Sequence, residues 1–243
     1  MKWGYYPPVL MYHHIDDAKA LIHCDSVSVK TFELQMEFLK KNNYEVITLE
    51  KLFKDIYKGI NKFRKTVVIT FDDGFKDNLE AVGILKKYDF PASLFLIINT
   101  INRSGFLDDN DINWLKENST FNFGSHTLSH FHLPHLSTDE QTKELAESKR
   151  ILKEKYNIDT NILAYPLGGF TLDTLALAKI SGYIGACTTN RGFLETKKVH
   201  PYALRRIKMT NRDIGFRLAM KLTGYYDIFR EMKKPSLQHP SFI

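Results

Sequence analysis

Val67-Val68-Ile69-Thr70-Phe71-Asp72-Asp73-Gly74 is a run of apolar and β-branched residues that stops at two adjacent carboxylates and a glycine. Such a run reads as a buried strand that delivers two acids to a loop at its carboxyl end. Successive side chains on an extended chain point to opposite sides, so Asp72 and Asp73 face different directions. That suggests a division of labour in which one carboxylate binds a metal and the other, held nearby, takes a proton from water. The plainer alternative is that Asp73-Gly74 only turns the chain after a strand.

A second stretch, Phe121-Asn122-Phe123-Gly124-Ser125-His126-Thr127-Leu128-Ser129-His130, again runs from a short apolar strand into polar residues. Four positions span about 400° of α-helix, so His126 and His130 share a face if this segment is a helical turn. Two imidazoles and one carboxylate make a reasonable ligand set for a catalytic zinc, which keeps a further position open for water or substrate. A histidine by itself is more often structural; the carboxylate pair is what turns the reading toward a metal.

Together, Thr70-Phe71-Asp72-Asp73-Gly74 and Ser125-His126-Thr127-Leu128-Ser129-His130 resemble the first two motifs of the polysaccharide deacetylases, the NodB-homology or carbohydrate esterase family four enzymes. Pro8-Val9-Leu10-Met11-Tyr12-His13-His14-Ile15 is similar to the branch that includes the de-N-acetylases of poly-β-1,6-N-acetylglucosamine, and the likeness runs from about Pro8 to Met209. The resemblance implies an α/β fold, a distorted (β/α) barrel of about seven strands. It also implies metal-dependent removal of an N-acetyl group from an amino sugar in a glycan. Asp73, His126 and His130 then hold the metal, Asp72 is the general base, and His13 is the candidate acid with His200 in reserve.

Tyr165-Pro166-Leu167-Gly168-Gly169 resembles the third motif of the family. A proline and two glycines let backbone N–H groups point into a cleft, as an oxyanion site requires, and the Leu167 N–H is the expected donor. Two departures stand out, since many relatives carry an arginine where Ala164 falls and an aromatic where Leu167 stands. The missing cation is assigned to Arg206, in a Leu204-Arg205-Arg206-Ile207 segment similar to this branch; the alternative for Arg205-Arg206 is a solvated strand edge. Other readings are an O-deacetylase or deformylase with the same metal site, or a non-catalytic glycan-binding relative. Intact Asp72, Asp73, His126 and His130 argue against the last.

The 243 residues suffice for one large domain with a substantial core, and a hydrophobic content of 43% excludes disorder. One catalytic domain is expected over residues 1–232, with a loose tail over 233–243. The net charge of +6 comes without a block of like charges, so no nucleic-acid arm is expected. The two cysteines, Cys24 and Cys187, make neither a disulfide framework nor a zinc site, and Cys187 reads as a small buried hydrophobe. There is no transmembrane run, and Met1–Pro8 lacks the pattern of a signal peptide, which predicts a cytoplasmic protein; a trimmed form of an exported one is the alternative. Oligomeric state is left open.

Alternating strand and helix signals place polar motifs at strand ends, as in an α/β fold with its site at the carboxyl face of a largely parallel sheet. Ser28 and Thr48 read as helix caps, and Ser137 with Glu140 as a capping box. Phe32, Met36 and Leu39 form a core stripe. A helix over 111–118 is expected to turn Trp114 and Leu115 inward, the loop 99–110 to frame substrate, and 203–209 to be one strand. His132 and His135 are assigned surface or supporting roles.

Overall fold

The computed structural model describes residues 7–60, 63–189 and 200–223. Its elements, in order, are β1 (Val9–Tyr12), β2 (His14–Ile15), β3 (Ser26–Val27), α1 (Val29–Lys41), β4 (Glu45–Val46), α2 (Leu49–Tyr57), β5 (Thr66–Phe71), α3 (Glu80–Tyr88), β6 (Ala92–Leu96), α4 (Asp109–Asn118), β7 (Phe121–Ser125), α5 (Thr138–Tyr156), β8 (Ile162–Ala164), α6 (Leu172–Ile180), β9 (Gly185–Thr188), β10 (Leu204–Arg205), β11 (Ile207–Lys208) and α7 (Gly215–Leu222). The proposed tail, 233–243, lies outside the described residues.

The main sheet runs β10-β9-β8-β7-β6-β5-β1-β11, with every pairing parallel and β4 added at the start of β5. The expected single strand over 203–209 is interrupted at Arg206. Its first half pairs Leu204 with Cys187 on β9, and its second half pairs Ile207 with Leu10 on β1. One interrupted strand therefore joins the two edges of the sheet and closes it into a distorted barrel. Counting β10 and β11 as one, seven strands go round the ring.

Alternation along the strands sorts their side chains into layers. Val9, Val68, Phe95, Ile162, Ala164, Cys187 and Leu204 face the interior and are joined there by Leu49, Leu52 and Phe53 of α2. Phe53 lies against Gly185, the first residue of β9, so α2 plugs the end of the barrel where the strands begin. The intervening residues Leu10, Val67, Ile69, Phe71 and Leu94 face outward onto Phe32, Met36 and Leu39 of α1 and Val82 and Leu85 of α3. Leu163 and Ala186 likewise meet Leu145 of α5 and Leu175 of α6. Each fully buried side chain of the α1 stripe contributes roughly 1.5–3 kcal/mol relative to exposure.

Local signals in the sequence produce the helix starts. Ser28 and Thr48 each accept a backbone N–H from the residue three positions on, and Ser137 and Glu140 complete a capping box. Asp108 and Asp111 form another box, so α4 begins at Asp109, ahead of the expected 111. That start turns Ile112 and Leu115 to the core and leaves Trp114 48% exposed, which corrects its expected inward packing. Ile112 and Leu115 are three residues apart and share a face; Trp114 sits on the flank. Among the described residues no helix is long and apolar enough to cross a membrane.

Candidate metal centre and active site

Val68, Thr70 and Asp72 follow one another at intervals of two, so the alternation that buries Val68 in the barrel also turns Thr70 and Asp72 inward. Arg206 projects from the break in the last strand toward the same point. Its two terminal nitrogens donate to the two Asp72 oxygens at 2.6 Å each, and Nη1 also reaches Thr70 Oγ1 at 3.2 Å. The guanidinium lies 5.4 Å from the centre of the Phe95 ring, an attractive cation–π placement. Arg206 and Asp72 side chains are 0% and 2% exposed. Burial alone would raise the Asp72 carboxyl, but Arg206 and then His126 hold it down at about 2. Asp72 is thus a permanent carboxylate at neutral pH.

The chain turns sharply after Asp72. Asp73 has φ 71°, a costly conformation for a residue with a side chain, and Gly74 follows at φ 72°, where a Cβ would stand 2.8 Å from a Leu96 methyl and press on it. The turn is clamped by the 102–107 loop, through Leu107 N–H to Gly74 O and Lys76 N–H to Gly105 O, both 2.9 Å, and through an antiparallel bridge from Phe75 to Phe106. The loop expected to frame substrate therefore braces the carboxylate turn.

The strained turn aims Asp73 away from Arg206 and at two histidines. Asp73 Oδ1 lies 3.4 Å from His126 Nε2 and 3.4 Å from His130 Nε2. The three residues form the cluster of potential metal ligands among the described residues. Tetrahedral ligands at about 2.1 Å from zinc stand roughly 3.4 Å from one another, so this spacing suits a shared ion. Asp73 Oδ1 is buried and without a hydrogen-bond partner, an arrangement that a cation would relieve. His126 Nδ1 lies 2.7 Å from the Ala164 carbonyl; a proton donated there leaves Nε2 as the lone-pair nitrogen facing Asp73. The donor set fits a divalent metal.

His126 and His130 do not share a helical turn. They bracket a loop with Thr127 at φ 67° and His130 at φ 61°, and their rings meet edge to face at 4.8 Å. His13 lies close enough to Asp72, Asp73 and Arg206 for their charges to act on it, yet burial dominates and lowers its pKa, leaving a neutral imidazole whose Nδ1 has no partner. Its neighbour His14 faces elsewhere, with Nδ1 2.7 Å from Asp77 Oδ2 and its ring stacked on Phe75. His200, the reserve acid, precedes β10 and so belongs to the opposite end of the barrel; its Nδ1 accepts the Tyr202 N–H, and the Tyr202 hydroxyl in turn donates to Tyr183 O, just ahead of β9.

After β8, Tyr165 and Pro166 are buried, Tyr165 within the cluster of Leu133, Leu145 and Leu163. Leu167 is 69% exposed at φ 56°, and none of the hydrogen bonds among the described residues is donated by its N–H. Cys187 is buried inside the barrel, and burial pushes its thiol up to about 12.

Two supporting groups carry no motif in the sequence. The Ala164 carbonyl and the Asn78 amide, which donates to His13 O at 2.6 Å, are contacts between segments far apart in the chain.

A carboxylate that stays charged beside three ligands with room for a fourth partner is what hydrolysis by activated water demands. Both sit where α/β barrels keep their chemistry, at the carboxyl ends of the strands, and the class so defined is that of metal-dependent barrel hydrolases. Comparison with known proteins narrows the class. The sequence model of the polysaccharide deacetylase family matches residues 59–186. The chain is 31% identical over 204 residues to YxkH of Bacillus subtilis (strain 168), named as a polysaccharide deacetylase, across 84% of this chain and 71% of that one. It is 30% identical over 207 residues to the poly-β-1,6-N-acetyl-D-glucosamine N-deacetylase of Staphylococcus epidermidis, across 76% and 68% of the two chains. The Streptococcus pyogenes deacetylase PplD, solved in complex with acetate, superposes with a TM-score of 0.80 at 27% identity, covering 90% of this chain and 98% of that one. The chain belongs to the polysaccharide deacetylase family and is a carbohydrate deacetylase of that metal-dependent group.

Proposed function

We propose that the protein hydrolyses the N-acetyl group of an amino sugar within a glycan, with zinc held by Asp73, His126 and His130. The observation that carries this reading is the Asp72–Arg206 pair beside the Asp73–His126–His130 cluster, with Asp72 Oδ2 3.9 Å from His126 Nε2. A divalent ion in that cluster supplies Lewis acidity, polarising the acetyl carbonyl and bringing the pKa of water down toward ~7.

Asp72, charged at every working pH and fixed by Arg206, orients the attacking water and takes its proton as oxygen bonds to the carbonyl carbon. The Leu167 N–H, which donates to no other group among the described residues, is the donor assigned to the developing oxyanion. A carboxylate held near pKa 2 does not retain a proton, whereas neutral His13 can receive it. His13 then protonates the nitrogen as the C–N bond breaks, which an amide requires because its anion is too poor a leaving group. The products are acetate and a free amino sugar.

The test is acetate release from an N-acetylglucosamine oligomer by purified protein, chelated and then given back stoichiometric zinc. Release that returns with zinc is the expected result. Absence of release by protein with bound zinc would overturn the amide reading.

A further inference from the structure

Helix α5 is largely charged and solvated, but one of its acids is turned inward. Glu144 is 6% exposed and has no lysine or arginine in ion-pair distance among the described residues. A buried carboxylate without a cation needs strong donors. Glu144 finds them in the backbone: its Oε2 accepts the N–H of Leu128 at 3.0 Å and of Ser129 at 2.8 Å. These are the residues that lie between the left-handed Thr127 and the left-handed His130.

One turn further along α5, Ser148 Oγ meets Ser125 Oγ at 2.9 Å, and Ser125 Oγ accepts the Thr127 N–H at 3.1 Å. From the other side, Asn99 N–H donates to Leu128 O at 2.9 Å and its amide to Ser129 Oγ at 2.8 Å. The loop is thus gripped on both sides, and on the helix side a single oxygen gathers both donors. Two non-glycine residues at positive φ persist only where surroundings over-determine them. His130 leaves this loop directly toward Asp73 Oδ1.

We propose that Glu144 is a positioning residue of the metal centre: by collecting the Leu128 and Ser129 N–H groups it sets where His130 Nε2 stands, and through that the affinity for the metal. The inference rests on Asp73, His126 and His130 being metal ligands. It makes reach, rather than charge, the quantity that matters. Glu144→Gln keeps an oxygen at the same distance and loses the charge; Glu144→Asp keeps the charge and withdraws the oxygen by one methylene.

Zinc dissociation constants of wild type and both variants, measured by competition with a chromophoric chelator, decide it, with the melting temperature of each metal-free protein alongside. Glu144→Asp is expected to bind zinc about 10–100-fold more weakly, the usual consequence of disturbing a ligand's support, while Glu144→Gln stays close to wild type. Glu144→Ala replaces the Asp variant should that one not fold. A merely structural role lowers the melting temperatures and leaves the zinc constants alone, which would overturn the proposal. So would a Gln variant as weak as the Asp variant, since charge would then be the cause. A wild-type protein that binds no zinc would overturn the ligand assignment itself, and is distinguishable from both.

Discussion

Arg206 stands 134 residues beyond Asp72 and closes on it with two hydrogen bonds of 2.6 Å, from the break where the last strand leaves β9 for β1. The residue that joins the two edges of the barrel is also the cation that fixes the carboxylate. Stability and catalysis are therefore coupled at this position. Arg206→Met leaves a buried carboxylate without its partner, and removing one side of such a pair costs about 3–5 kcal/mol. The expected outcome is a large fall in melting temperature together with loss of acetate release. Arg206→Lys keeps a charge but not the two-pronged contact, and is expected to recover stability more than turnover. A Met variant as stable as wild type would refute the coupling.

Asp72 and Asp73, adjacent in sequence, are expected to separate cleanly under mutation. Asp72→Asn preserves the shape and leaves Asp73, His126 and His130 untouched, so zinc affinity stays near wild type while turnover falls by about 10²–10⁴, the usual worth of a general base. Asp73→Ala removes a ligand and is expected to lose zinc and turnover together. Measuring bound zinc and acetate release on the same samples checks both, and an active Asp72→Asn protein would remove Asp72 from the role of base.

The parts of this arrangement that were legible in the sequence are those set by neighbours along the chain. The caps at Ser28, Thr48 and Ser137 satisfy N–H groups three residues away, and the run ending at Phe71 needs only alternation to aim Asp72 inward. Less legible was whatever depends on how the barrel closes. Nothing local in 203–209 says that its two halves join different strands, or that His200 falls at the far end from the metal cluster. The His126–His130 spacing suggested a helical turn, yet Glu144 and Asn99, contacts made only in the folded chain, hold it as a loop. Trp114 shows the reverse case: a local capping box at Asp108 set the helix phase and turned the ring outward.

The Asp72 carboxyl also predicts how stability depends on pH. Its folded value of about 2 lies below the ~3.9 of an unfolded aspartate, because Arg206 and His126 outweigh burial. A depressed carboxyl contributes stability that is present in full above the unfolded value and is lost as pH falls through the folded one. The window is therefore roughly pH 5 down to pH 2, and the contribution is on the order of 2–3 kcal/mol. Urea midpoints of metal-free protein across that window should fall more steeply for wild type than for Asp72→Asn. Parallel curves would show that the pair is not linked to acid stability.

Gly124 supplies a test from inside the barrel, two residues ahead of His126 in the chain. A Cβ built on it would lie 2.3 Å from the Phe95 ring, and Phe95 is the ring over which the Arg206 guanidinium rests at 5.4 Å. Neither side has room, because Phe95 packs with Val68, Ile162 and Cys187 in the interior layer. Gly124→Ala therefore forces Phe95 to move, an overpacking cost of about 1–3 kcal/mol, and the displaced ring disturbs the floor beneath Arg206. The expected result is a lower melting temperature and a loss of turnover, with a smaller fall in zinc affinity because the Phe95 ring also lies 6.4 Å from that of His126. Phe95→Leu in the same chain relieves the clash and should restore part of both losses. If Gly124→Ala melts like wild type, the ring has freedom that this packing denies it.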